Sequence, residues 1–118
     1  MEDTLYARMR PYLGDEKKLS ERMAGRLDFW EECVMLFPKE EIIEKMDKAL
    51  EDNDFSAFLV FVHRLKGNLA NFGFERASEK AADVLLMIER KDTRQLRYRY
   101  ESLREEYLQI IERIKEVK

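Results

Sequence analysis

The chain has one histidine, His63, and Lys66 follows it three residues on. On a helix that spacing places the ammonium one turn from the imidazole. A neutral imidazole is a competent nucleophile near pH 7, and a nearby ammonium can neutralise an anion attached to the ring. The surrounding residues are Leu59, Val60, Gly67 and Ala70, with no carboxylate among them. A lysine beside a histidine without a carboxylate partner suits phosphoryl chemistry better than proton relay. Other constellations are missing. There is no Gly-rich phosphate loop, nucleotide motif or Ser/His/Asp set, so self-phosphorylation from ATP is not expected. One cysteine, Cys33, permits no internal disulfide, and one Cys with one His cannot build a structural zinc site. No metal ligand set is assigned.

The element that must position His63 is a helix over 55–72. Asp52-Asn53-Asp54 is a turn with N-cap chemistry, and Gly73 is a natural C′ residue. Phe55, Phe58, Val62, Leu65, Leu69 and Phe72 form its core stripe. His63 falls roughly 130° from the centre of that stripe, which puts it at the surface. A solvent-facing helix surface is normally charged; here it is small and apolar. Gly67 costs about 0.5–1 kcal/mol relative to Ala in a helix interior. A macromolecule that must approach His63 closely accounts for that cost, although close helix packing is the alternative. Leu59 and Val60 are either part of such a docking surface or covered by the helical stretch 15–37.

Around this helix the sequence reads as all-α. Its 118 residues include four Gly and two Pro, and helix formers dominate. Short first helix 3–12 is closed by Pro11 and Gly14. A stretch over 15–37 carries Leu19, Met23, Leu27, Trp30, Val34 and Phe37 at helical spacing, with Gly25 inside it. Pro38 suits the first residue of the next helix, to about 51, with Ile42, Ile43, Met46, Ala49 and Leu50 inward. A helix over 75–90 turns in Ala77, Ala81, Val84, Leu85 and Ile88. The last, capped by Asp92 or Thr93 and ending near 116, turns in Leu96, Tyr100, Leu103, Tyr107, Ile110, Ile111 and Ile114. Short loops imply antiparallel neighbours. The expectation is a single domain over 1–118: an antiparallel four-helix bundle at about 38–117, with an N-terminal helical cap at 3–37. Trp30, Met23, Met46, Met87 and Cys33 are expected in the core.

His63-Arg64-Leu65-Lys66-Gly67, with Gly73 ten residues after the histidine, reads as HxLKG(x5)G. It resembles the signature of histidine-containing phosphotransfer (HPt) domains, helical bundles of about this length. The resemblance spans roughly 15–115, with the diagnostic part in the motif. It implies that His63 is the phosphoacceptor through its outward ring nitrogen, and that Lys66 pairs with the phosphate. Gly67 gives clearance and Gly73 ends the helix. Leu59, Val60, Arg64, Asn68, Ala70 and Asn71 would form the docking face. The family has no kinase activity of its own. It shuttles phosphoryl groups between aspartates of receiver domains, which supply Mg²⁺, so no cofactor is expected on this chain. Partners implied are response-regulator receivers and a hybrid histidine kinase. Two positions depart from the pattern: Asn68 stands where Ser or Ala is commoner, and Val62 where Ala is common.

The rival readings belong to other classes. One is a catalytically silent module that docks a receiver or kinase. Another is a direct substrate of a kinase's ATP domain. A third is a nucleic-acid or scaffold protein using Arg90, Lys91, Arg94, Arg97, Arg99 and Arg104. Glu89, Asp92, Glu101, Glu105 and Glu106 interleave with those cations, which favours a solvated, salt-bridged face. With 22 basic and 25 acidic residues the net charge is −3, and nucleic-acid binders usually carry a basic excess. Glu40-Glu41 and Glu105-Glu106 are placed on polar faces. No apolar run is long enough for a membrane span and the N-terminus has no apolar signal core. The default expectation is a cytoplasmic monomer, and the initial Met leans towards a standalone protein.

Overall fold

The computed structural model describes residues 4–117, and every regular element among them is helical. The helices are α1 (Leu5–Met9), α2 (Glu16–Arg22), α3 (Leu27–Val34), α4 (Ile42–Glu51), α5 (Phe55–Asn71), α6 (Glu75–Glu89) and α7 (Thr93–Lys115). Short 3₁₀ turns at Arg10–Tyr12 and Phe37–Glu40 supplement them.

α4 to α7 form an antiparallel four-helix bundle. Each is joined to the next by a tight turn, and the turn chemistry is specific. The Asp54 carboxylate accepts from Ala57 N at 3.1 Å and caps α5. Asp92 does the same for α7, accepting from Gln95 N at 3.0 Å. Asn53, Gly73 and Lys91 adopt left-handed backbone in the three turns, with φ of 55°, 87° and 57°. At Gly73 this conformation is combined with burial. A Cβ there would lie 2.8 Å from Leu19 Cδ2, so any other residue would both strain the left-handed backbone and push the Leu19 side chain aside.

The core stripes fall where the helical period puts them. Phe58, Val62, Leu65 and Leu69 of α5 are buried against Ala77, Ala81 and Val84 of α6 and Leu96, Leu103 and Ile110 of α7. Val62 is fully buried, so the larger side chain at that position is absorbed by packing. Phe55, Phe72, Leu85, Ile88 and Ile111 sit half-buried at the edge of this core. α7 closes onto α4 through a polar tie. Tyr100 Oη donates to Asp47 Oδ1 at 2.6 Å, and Arg104 Nε and Nη2 donate to the same carboxylate at 3.1 and 3.0 Å.

The N-terminal segment departs most from expectation. The stretch 15–37 is not one helix. It breaks after Arg22, where Ala24 (φ 52°) and Gly25 (φ 72°) turn the chain left-handed. Gly25 therefore lies in a turn rather than mid-helix. The break rotates the apolar stripe, so Leu27 is 49% exposed instead of inward, while Trp30, Val34 and Phe37 remain buried. Pro38 opens a 3₁₀ turn, and α4 begins only at Ile42, after Glu41 has taken φ 52°. The expected helix 3–12 is α1 followed by a 3₁₀ turn. Thr4 caps it, and the expected start at Asp3 lies outside the described residues. Cys33 and Met23 are half-buried rather than core, whereas Met46 and Met87 are buried.

Trp30 anchors this segment. Its ring is buried near Tyr6 and Phe74, and its indole Nε1 donates to the Phe72 carbonyl at 2.9 Å. The last turn of α5 is therefore held from outside the bundle.

Candidate functional site

α5 is long enough to bury one side and present the other. Its exposed ridge runs Ser56, Val60, His63, Arg64, Gly67 and Asn71, the helical complement of its buried stripe. His63 lies on that ridge, where the wheel put it. Val60 is 55% exposed, so α2 and α3 do not cover it, and Leu59 is half-buried. An exposed valine one turn before an exposed histidine makes the face apolar where solvent alone would favour charge.

Lys66 is half-buried, and its ammonium has no ion-pair partner among the described residues. Its backbone is fixed, because Ser78 Oγ of α6 donates to the Lys66 carbonyl at 3.3 Å. Arg64 leans the other way along the ridge, with its guanidinium 6.0 Å from the centre of the Phe61 ring. Asn68 and Ala70 are half-buried beside the ridge, and Asn71 is exposed near its end.

Gly67 separates the two explanations for a glycine inside a helix. A Cβ built on it meets no atom within 4 Å. No neighbouring helix comes close, so packing does not require the glycine. The space above it is open, one turn from His63.

The arrangement is an open face with an exposed imidazole and, one turn on, an ammonium that has no ion-pair partner among the described residues. Such a face can present a nucleophile to another macromolecule. It encloses no small substrate. Among the described residues no cluster of three or more His, Cys, Asp or Glu could hold a metal ion, and no helix is long and apolar enough to cross a membrane.

The basic cluster of α7 is partly neutralised. Arg99 lies 3.6 Å from Asp83, and Arg104 is held by Asp47. Glu106 corrects an expectation, since it is buried rather than on a polar face. Its Oε1 takes Arg76 Nε at 2.9 Å and Lys80 Nζ at 3.0 Å, tying α7 to α6.

One residue beside the face was not singled out from sequence. Arg22, the last residue of α2, donates from its guanidinium to the Ala70 carbonyl on α5. Nothing in the sequence pattern brings residues 22 and 70 together. The contact is made by the last residue of α2, just before the turn at Ala24-Gly25.

Residues 39–116 match the family model of the Hpt domain. That span holds α4 to α7 and the whole motif from His63 to Gly73, and leaves out α1 to α3. No curated protein and no solved structure matches the chain.

Proposed function

The chain belongs to the Hpt domain family, and from that premise we propose that it is a phosphorelay intermediate. His63 takes a phosphoryl group from a receiver-domain aspartate and passes it to another receiver. The outward ring nitrogen attacks phosphorus, an N–P bond forms, and the acyl phosphate P–O bond breaks. The aspartate carboxylate leaves, and the other ring nitrogen keeps its proton. The return step reverses these bonds on a second receiver. Lys66 offsets the charge of the phosphoryl group on His63. The receiver contributes Mg²⁺ and the acidic pocket. The open space over Gly67 and the exposed apolar surface at Val60 admit the receiver's rim. A hybrid histidine kinase carrying a receiver is the expected upstream partner, and a cytoplasmic setting suits such a relay.

The observation that carries this reading is the exposed His63 beside Lys66, which has no ion-pair partner among the described residues, and a glycine with open space above it. The test mixes the protein with receiver domains phosphorylated by acetyl phosphate and Mg²⁺. Acid-labile, base-stable label is expected on the wild type and none on His63→Gln, which should still bind the receiver. Lys66→Ala should slow transfer or shorten the phosphohistidine lifetime on the order of tenfold, with the helical spectrum unchanged. Label persisting in His63→Gln overturns the assignment. Receiver binding with no label on wild type points to a docking module without chemistry.

A further inference from the structure

The acceptor helix is electrostatically unlike the rest of the chain. From Phe55 to Phe74 there is no Asp or Glu, although the protein carries 25 acids and a net charge of −3. The charged side chains of that stretch are Arg64 and Lys66, and neither forms an ion pair among the described residues. A third cation reaches the same helix from outside it. Arg22 donates to the Ala70 carbonyl, is exposed, and has no ion-pair partner among the described residues. That bond fixes the guanidinium while leaving most of its five donors unused.

Ala70 lies two turns beyond His63, about 10 Å along the helix axis. At that separation Arg22 does not touch a phosphoryl group on the imidazole. It sits where the rim of a docked partner would rest.

We propose that Arg22 is a specificity determinant for receiver docking. Arg64 and Lys66 flank His63 on opposite sides of the ridge, and Arg22 extends this positive frame towards the end of α5, selecting receivers that bear an acidic patch beside their phosphoacceptor pocket. This rests on the phosphotransfer reading and deepens it. Arg22 lies outside the matched residues 39–116. The discriminating charge is therefore delivered by the N-terminal segment, while the chemistry stays in the bundle. Rim charges act on encounter and affinity, and their effect is screened by salt.

A simpler role for Arg22 is to cap the end of α5, since cations favour helix C-termini. That role predicts a change in thermal stability and none in the salt dependence of binding. The experiment uses the full chain and the receiver that labels His63 best. Transfer is followed against receiver concentration for wild type, Arg22→Lys, Arg22→Gln and Arg22→Glu. Receiver binding is measured at low and high salt, with thermal midpoints in parallel.

Arg22→Glu should raise the half-saturating receiver concentration on the order of tenfold, with the rate at saturation retained. Arg22→Lys should stay near wild type, Arg22→Gln should fall between, and the salt dependence should flatten in Gln and Glu. Should Arg22→Glu lower the thermal midpoint, Arg22→Gln carries the comparison. Wild-type affinity and salt dependence in Arg22→Gln and Arg22→Glu would overturn the assignment and leave phosphotransfer standing. A loss confined to the saturated rate, or one that follows thermal stability alone, would also overturn it. A wild-type chain that neither binds nor is labelled by any receiver would remove the phosphotransfer reading and this inference together.

Discussion

Gly67 is the residue at which folding and function make opposite demands. An α-helix favours alanine there, and the structure leaves room for it, since an added Cβ meets nothing within 4 Å. Gly67→Ala should therefore stabilise the chain by about 0.5–1 kcal/mol. Thermal or urea unfolding measures the gain, and phosphotransfer on the same sample should slow if the open space serves an incoming partner. A loss of stability would mean that the glycine answers to the fold. The motif of His63, Lys66, Gly67 and Gly73 and its place on α5 were legible from sequence because types and spacing are fixed together. The wheel position of His63 decided its exposure correctly, whereas the structure had to settle that Val60 is uncovered. Arg22 was not legible. Its contact with Ala70 is made between helices far apart in sequence, and a surface arginine in a lysine-rich segment carries no signal of its own.

At the scale of elements, α4 to α7 could be read from apolar period and caps, because Asp54, Gly73 and the Asp92-Thr93 pair punctuate them, although α4 starts at Ile42 rather than at Pro38. The N-terminal segment could not. Its apolar residues keep helical spacing straight through Ala24-Gly25, so the period hides the turn. Local conformation won there. Gly25 at φ 72° and Ala24 at φ 52° end α2, and Trp30 is buried from the separate helix α3. Trp30 fastens the segment to the end of the acceptor helix, beside Leu19 on Gly73 and Arg22 on Ala70. Trp30→Ala should cost about 3–5 kcal/mol by opening a cavity. Trp30→Phe should cost less, chiefly the hydrogen bond to the Phe72 carbonyl, about 1 kcal/mol. Denaturant midpoints distinguish the two, and equal losses would show that the hydrogen bond rather than packing holds α3 in place.

Across the whole molecule, polar ties join the helices of the bundle, one between α4 and α7 at the two ends of its chain order and one at a buried carboxylate between α6 and α7. Asp47, Tyr100 and Arg104 join α4 to α7, and Glu106, Arg76 and Lys80 join α7 to α6. Burial and the hydrogen bond to Asp47 push the Tyr100 hydroxyl well above the usual tyrosine range. Burial, with Glu40 and Glu44 nearby, does the same to Tyr107. A raised folded value means the native state holds its proton more tightly than the unfolded chain. The associated stability is complete below the unfolded tyrosine value near 10 and is lost as pH climbs beyond it. Unfolding free energy should thus fall from about pH 10 upward. Tyr100→Phe should flatten that fall while lowering stability at neutral pH by about 0.5–1.5 kcal/mol. An unchanged alkaline slope in the variant would place the loss elsewhere.

The fastening of Trp30 to the end of α5 also makes the protein its own optical reporter. It is the single tryptophan of the chain, fully buried, with its indole N–H committed to a carbonyl at the end of the acceptor helix. Its emission belongs to one known site and needs no dye, tag or deconvolution. Loosening of the N-terminal helices from α5 would wet the indole and move its emission to the red. Tighter seating under a bound receiver would leave it blue and shield it from quenchers. Stopped-flow fluorescence on the unmodified protein can therefore time partner arrival separately from the appearance of label on His63.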